Sequence, residues 1–234
     1  MSIENEEVYD LSHTAIGLIN PMIPPLRSSD TVGKALDWMD EFRVTQLPVV
    51  ENKKYIGIIS EDMLIDLGEK ELLIAEVEKE FEDVFITENK HFYDVIKLAD
   101  ENGLQIIAVV GEKDKEFKGA IAIKDTIEVF ARTYASKIAG GILMLSMNYF
   151  DYSLSQISRL VEENDAKIVS SFVETDAQDA SRIKLTLKIN KQDLSHIIAT
   201  FERFNFKVLA AFHDEPSTDW GKERIDLLMK YLNM

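Results

Sequence analysis

Two stretches decide the fold: Leu26–Val50, LRSSDTVGKALDWMDEFRVTQLPVV, and Ile86–Val110, ITENKHFYDVIKLADENGLQIIAVV. They align at an offset of 60 residues without a gap. Each carries apolar residues at i, i+3, i+4 and i+7, the spacing of a helix that is buried along one face. The matching positions are Val32, Ala35, Leu36 and Met39 over Phe92, Val95, Ile96 and Ala99. The chain therefore predicts an internal repeat, with an amphipathic helix in each copy.

Strands and a second helix follow in each copy. Leu47–Val50 aligns with Ile107–Val110. The turn that follows is two residues longer in the second copy, and after it Gly57–Ile59 aligns with Gly119–Ile121. Helices are predicted over Glu61–Leu67, over Lys124–Tyr134 and in the connection 69–83. Each copy reads helix, strand, turn, strand, helix, and one copy alone would leave its apolar faces uncovered. Two packed copies would cover them.

Three motifs of the first copy resemble the CBS domain pair: Asp30-Thr31-Val32, Leu47-Pro48-Val49-Val50 and Gly57-Ile58-Ile59-Ser60. The stretch Ile23–Leu26 is similar to CBS proteins of the acetoin-utilisation B type, which also carry a C-terminal ACT-like domain. The resemblance implies a CBS pair over residues 14–134. The first copy would span about 14–68 and the second about 84–134.

A different pattern begins at Gly140. Strand and helix periodicities alternate in the order βαββαβ over 140–213, and Ile183–Ile189 alternates strictly between apolar and polar residues. This order predicts a ferredoxin-like antiparallel sheet with both helices on one face, and it is similar to the ACT domain. The turn 148–153 lacks the glycine that amino-acid-binding ACT domains usually carry. The fold class is therefore α/β and α+β, with a helical tail over 214–234.

The resemblance also implies a nucleotide site. CBS pairs commonly hold a ribose with a Ser or Thr and with an Asp three residues later. The second copy keeps Asp125 in frame but has Ala122 at the hydroxyl position. The first copy keeps Ser60, but the frame places Met63 at the Asp position and Asp62 one residue early. Both aspartates also fit a simpler role as favourable charges at a helix start.

The remaining site predictions concern phosphate and base. Lys124, Arg43 and Arg27 are the candidate cations for phosphate, although such residues are more often ordinary solvated side chains. Cleft walls are predicted at Pro48, Val49, Ala108 and Val109, which a plain core strand would explain as well. The expected ligand is AMP, ATP or another adenosyl compound, and no metal site is expected.

Composition excludes several functions. The net charge is −16 and no basic run is present, which disfavours binding to nucleic acid or to an anionic membrane. No cysteine is present, and the four histidines lack metal-ligand spacing. The N-terminus lacks the pattern of a secretory signal, so we expect a cytoplasmic protein. No phosphate-binding loop or nucleophile elbow occurs, so we expect no enzyme.

Together these features predict a regulatory ligand-sensing protein. Its CBS cleft would bind an adenosine-containing nucleotide and would couple to the ACT-like domain. The alternative is a ligand-free dimerisation scaffold, and an enzyme is the third and least favoured reading. A homodimer is expected, with Trp38, Phe42 and the apolar stripe of the tail as candidate contacts.

Overall fold

The computed structural model describes residues 13–212. The chain divides between Ala131 and Arg132 into two compact units. Each unit has its own apolar core. The domain boundaries given above stay predictions, as does the tail, which lies outside the described residues.

The first unit contains the two repeats. The first repeat comprises α1 (Val32–Phe42), β1 (Gln46–Glu51), β2 (Lys54–Ser60) and α2 (Glu61–Leu67). The second comprises β3 (Phe85–Thr87), α3 (Phe92–Asn102), β4 (Ile106–Val110), β5 (Phe117–Ala122) and α4 (Ile123–Ala131). Helices α1 and α3 have the same length, 11 residues, and begin 60 residues apart.

Strand pairing repeats with the same offset. Strand β1 pairs antiparallel with β2 and β4 pairs antiparallel with β5, and each pair has an irregularity after its equivalent valine, Val49 or Val109. Leu26 forms a parallel bridge to Val49, as Ile86 of β3 does to Val109. The fold class predicted for the first half is therefore confirmed.

The segment before each repeat lies on the other repeat. The backbone amide of Asn20 donates to the Ala120 carbonyl at 2.8 Å, whereas Glu82 and Ile58 exchange hydrogen bonds of 2.9 and 3.0 Å. Glycines make room for these segments, because a Cβ at Gly57 would lie 2.6 Å from Phe81 Cβ. The periodicity of the sequence does not predict this crossed pairing.

The helix predicted in the connection 69–83 forms over only part of the segment and is not an α-helix. Residues Ile74–Glu80 form 3₁₀ turns interrupted at Val77. Part of the backbone there bonds to the first repeat: the amide of Val32 donates to the Leu72 carbonyl at 2.9 Å, and the amide of Ile74 donates to the Asp30 carbonyl at 2.8 Å. These tertiary hydrogen bonds override the local helix propensity.

The second unit is a ferredoxin-like sandwich. Its elements are α5 (Tyr134–Lys137), β6 (Gly141–Asn148), α6 (Leu154–Glu162), β7 (Ile168–Thr175), β8 (Arg182–Ile189), α7 (Ser195–Arg203) and β9 (Lys207–Phe212). The sheet order is β7-β8-β6-β9 with every pair antiparallel. Alternate residues of β8, such as Leu185 and Leu187, are buried beneath α6 and α7 as the alternation predicts.

Helices of the described chain are too short or too polar to cross a bilayer. The aromatic residues proposed as dimer contacts are partly buried. Trp38 and Phe42 pack against the core of the first unit, and the Lys34 ammonium lies 4.3 Å from the centre of the Trp38 ring.

Candidate functional site

The two repeats meet where β1 and β4 begin. The side-chain oxygen of Gln46 accepts from the backbone amide of Gln105 at 2.8 Å and from that of Ile106 at 3.4 Å. This contact holds the start of β1 against the start of β4. Residues from both repeats therefore surround the space beside it.

Two neighbouring pockets open there. One has a volume of about 170 Å³ and the other of about 340 Å³, and both are lined by Arg43 and Val44. The smaller pocket is completed by Leu104, Gln105, Ile106, Ala122, Ile123 and Lys124. The larger one is completed by Met39, Asp40, Thr45 and Glu61. A ligand in this region would touch the first repeat through Arg43 and the second through Lys124.

Arg43 has an unusual backbone. It ends α1 in the left-handed conformation with φ 53°, and the equivalent residue at the end of α3 is Gly103, with φ 62°. Glycine is the usual residue at this position because a Cβ is disfavoured there. The first repeat therefore has a backbone strain at this position that the glycine of the second repeat avoids. The strained residue is the one that places a guanidinium at the pocket. Such strain is a reason to look for function.

In the part of the chain that the structure describes, the two cations of the smaller pocket are not paired with an acid, although Asp40 and Glu61 line the larger pocket together with Arg43. Within residues 13–212, neither Arg43 nor Lys124 takes part in an ion pair. Both side chains are exposed. Two positive charges that converge on one concave site attract an anion, even on a chain of net charge −16.

Asp125 and Lys124 are adjacent in the sequence, but their side chains have different neighbours. Its carboxylate accepts a hydrogen bond of 2.6 Å from the Asn20 side-chain amide. Asp125 does not line the pocket to which Lys124 contributes. Successive residues of a helix point about 100° apart, which explains why these neighbours separate. The geometry does not bring Asp125 to the two cations.

In the first repeat the candidates lie at the start of α2. Ser60 is the N-cap, and its hydroxyl accepts from the Met63 amide at 3.5 Å. Asp62 is exposed in the first turn. Between them Glu61 lines the larger pocket. Glu61, Thr45 and Gln105 are site residues that the sequence reasoning missed.

The predicted walls are buried. Val49, Ala108 and Val109 are inaccessible to solvent, and Pro48 is buried too. None of them lines the two pockets described above. Arg27 lies elsewhere, beyond the other end of β1. No group of three or more histidine or carboxylate side chains in the described chain is placed to hold a metal ion.

Residues 16–70 match the family model of the CBS domain. The recognition of this domain in the first half is thereby confirmed. No protein of curated function matches the chain.

Three solved structures align with about half of the chain, each with a TM-score below 0.5. A CBS domain pair/ACT domain protein from Thermotoga maritima is 20% identical, with 50% of this chain and 95% of that chain covered and a TM-score of 0.45. A Vibrio cholerae protein described as the acetoin utilization protein AcuB is 21% identical, with 50% and 89% covered and a TM-score of 0.44. CBSX2 in complex with AMP is 17% identical, with 51% and 97% covered and a TM-score of 0.44.

Proposed function

We propose that the chain is a regulatory sensor that binds an adenine nucleotide in the two neighbouring pockets that share Arg43, the smaller of which lies between its repeats. The observation that carries the proposal is the pair of unpaired cations, Arg43 and Lys124, which come from different repeats and line one pocket. The CBS match of residues 16–70 supports this class of ligand.

Each lining group has a role in this proposal. Arg43 offers a planar fork that suits phosphate oxygens, and Lys124 adds a second point charge. The apolar side chains of Val44, Ile106 and Ile123 would take the base. The Glu61 carboxylate would accept from a ribose hydroxyl at the mouth of the larger pocket. At about 340 Å³ that pocket lies within the range of ligand sites, about 300–1,000 Å³.

Regulation follows from the position of the site. A nucleotide that bridges Arg43 and Lys124 would favour one relative packing of the two repeats over another. Such a shift requires different affinities for the two arrangements. We propose that the ferredoxin-like unit, which is ACT-like by pattern, takes the output.

Calorimetric titration with AMP, ADP and ATP tests the proposal. Arg43→Gln and Lys124→Gln should each weaken binding by about tenfold, since a hydrogen bond to a charged group contributes roughly 1.5–3 kcal/mol. Lys54→Gln is the matched control, because it removes one positive charge away from the two pockets and should leave the affinity unchanged. Nucleotide affinities that are equal in all four proteins would refute the proposed site.

A scaffold without ligand is the second candidate. It is favoured by two hydrogen bonds that already occupy predicted ligand-binding groups. The Asp125 carboxylate accepts from Asn20, and the Ser60 hydroxyl accepts from the Met63 amide of its own helix. Failure of all three nucleotides to bind the parent protein would select this candidate.

A further inference from the structure

A groove with a volume of about 900 Å³ lies at the opposite end of β1 from the two pockets that share Arg43. Arg43 and Thr45 precede the strand, whereas Asn52 and Lys53 follow it. A strand rises about 3.3 Å per residue, so the two regions are roughly 20 Å apart. The groove is therefore not an extension of the proposed nucleotide site.

Backbone hydrogen bonds fix the walls of this groove. The amide of Ala75 donates to the Ser28 carbonyl at 3.0 Å, which holds the connection between the repeats against the segment before α1. The amide of Phe117 donates to the Lys53 carbonyl at 2.8 Å, which joins β5 to the turn after β1. The first repeat, the connection and the second repeat therefore each supply one wall of the groove.

The lining combines an apolar surface with a polar rim. Val50, Leu73 and Phe117 supply the apolar part, and Leu73 is 41% exposed although it is a large apolar side chain. Arg27, Ser28 and Lys53 supply cations and a hydroxyl. A concave apolar site with a few converging polar groups is the usual form of a small-molecule site.

The cations of the rim are uncommitted. Between residues 13 and 212 no ion pair or hydrogen bond engages the side chain of Arg27 or of Lys53. The Arg27 backbone amide donates to the Asp30 carboxylate at 2.8 Å. Glu116, whose pKa Lys53 helps to lower, is already bonded to Lys118 at 2.7 Å. That hydrogen bond is the main cause that holds the pKa of Glu116 below its usual value, and the charge of Lys53 is a smaller one. Glu51 also lines the groove, and its carboxylate would repel a second negative charge on the ligand. A suitable ligand therefore carries its negative charge at one end only.

We propose that this groove is a second ligand site, which binds a small organic anion with one phosphate or carboxylate group on an apolar body. Arg27, Lys53 and the Ser28 hydroxyl hold the anionic group. The body of the ligand lies on Phe117, Leu73 and Val50. The walls of the groove come from both repeats and from the connection between them. A ligand bound in the groove therefore stabilises the association of the two repeats.

The test uses three fluorescent probes that share one ring system: 1-naphthyl phosphate, 1-naphthoate and uncharged 1-naphthol. Comparison of the first two distinguishes a phosphate from a carboxylate ligand. At least one anion should bind more tightly than 1-naphthol. Arg27→Gln and Lys53→Gln should each weaken that anion by about fivefold, the upper range for an exposed charge pair, and added salt should weaken it further.

Lys54→Gln is the matched control, because it removes the charge next to Lys53 outside the groove and should leave probe binding unchanged. The proposal is overturned if 1-naphthol binds as tightly as both anions, or if Lys54→Gln weakens binding as much as Lys53→Gln. It is also overturned if the probe responds to Arg43→Gln and Lys124→Gln, since it would then occupy the nucleotide pockets. None of these outcomes depends on whether an adenine nucleotide binds.

Discussion

The Asn20 side-chain amide donates to the Asp125 carboxylate at 2.6 Å across 105 positions of sequence. Beside it, the Asn20 backbone amide donates to Ala120. Asn20 therefore fastens the segment before the first repeat to β5 and α4 of the second repeat. The same carboxylate is the one that resemblance to CBS pairs assigns to a ribose, so its structural and ligand-binding roles compete.

A double-mutant cycle on this pair is the first prediction. Asn20→Ala and Asp125→Ala should each lower the free energy of unfolding, with a coupling of about 1 kcal/mol, because the bond is charge-assisted but only partly buried. Urea unfolding of the parent, the two single variants and the double variant measures it. Strictly additive losses would show that the contact contributes nothing to stability.

The same variants separate the two roles of Asp125. If Asp125 holds a ribose, Asp125→Ala should weaken nucleotide binding by about tenfold, whereas Asp62→Ala should matter less. Asn20→Ala should then leave the carboxylate available and should not weaken binding. Equal affinity in the parent and in Asp125→Ala would assign Asp125 to structure alone.

The crossed segments lead to a prediction about glycine. A Cβ at Gly57 would lie 2.6 Å from Phe81 Cβ, and a Cβ at Gly119 would lie 2.5 Å from Ile19 Cγ2. Gly57→Ala and Gly119→Ala should therefore each destabilise the first unit by about 1–3 kcal/mol, the usual cost of overpacking. Gly68→Ala is the control: its φ is positive but no atom lies within 4 Å, so its cost should stay near 1 kcal/mol. Thermal unfolding that ranks Gly68→Ala as the most damaging variant would contradict the packing account.

The sequence predicts the local part of this fold well. The i, i+3, i+4, i+7 stripes place α1 and α3 at their observed offset, because the spacing of apolar residues depends only on helix geometry. Strict alternation likewise places β8. The conformation of the connection 69–83 is not predictable from its own residues, because several of its backbone groups bond to the segment around Asp30 and Val32.

The site is less predictable than the fold. Arg43 and Lys124 can be selected by charge, but only the structure shows that they line the same pocket while Asp125 turns to Asn20. Motif comparison cannot reveal that Glu61, one residue before Asp62, lines the larger pocket. Adjacent residues of a helix point in different directions, so a shift of one position changes which side chain faces the pocket.

Tyr55 gives a prediction about pH. Its hydroxyl donates to the Val84 carbonyl at 2.7 Å, and burial, with a smaller influence from Asp83, raises the pKa of the phenol well above its ordinary value. The pKa of Tyr55 in the folded protein therefore exceeds its value in the unfolded chain, which is about 10. The contribution of neutral Tyr55 to the free energy of unfolding is fully present below pH 10 and is lost as the pH rises above it. Urea midpoints at pH 8 and pH 11 should differ more in the parent than in Tyr55→Phe.

Tyr93→Phe is the control for this measurement, since Tyr93 is 73% exposed. It should show the same alkaline loss as the parent. At pH 8, Tyr55→Phe should itself cost about 1 kcal/mol, because the Val84 carbonyl loses its hydroxyl donor. An unchanged alkaline loss in Tyr55→Phe would locate the sensitive group elsewhere.

Exposed apolar residues on the second helices of the repeats predict a homodimer. Ile65 of α2 and Ile127 of α4 occupy equivalent positions and are 57% and 68% exposed, and Phe130 of α4 is 62% exposed. A second copy that covers this surface would remove apolar area from water. We expect light scattering to give twice the single-chain mass of 26.7 kDa, and Ile127→Lys to restore the single-chain mass.

Phe150→Lys is the control for the dimer, because Phe150 is 93% exposed but belongs to the ferredoxin-like unit. It should leave the dimer intact. A parent protein with the single-chain mass at micromolar concentration would refute the dimer, and dissociation by Phe150→Lys alone would move the interface to the other unit.

The last prediction sets stability against function at Arg43. Because Arg43 has φ 53° where the second repeat has Gly103, Arg43→Gly should relieve the backbone and raise the free energy of unfolding by about 0.5–1 kcal/mol. The same change removes the guanidinium and should weaken nucleotide binding by about tenfold. Arg43→Gln keeps the strained backbone without the charge, so it should lose affinity without gaining stability. Thermal unfolding and calorimetry on the three proteins measure both effects. If Arg43→Gly is more stable and binds nucleotide as tightly as the parent, the left-handed arginine has no part in the site.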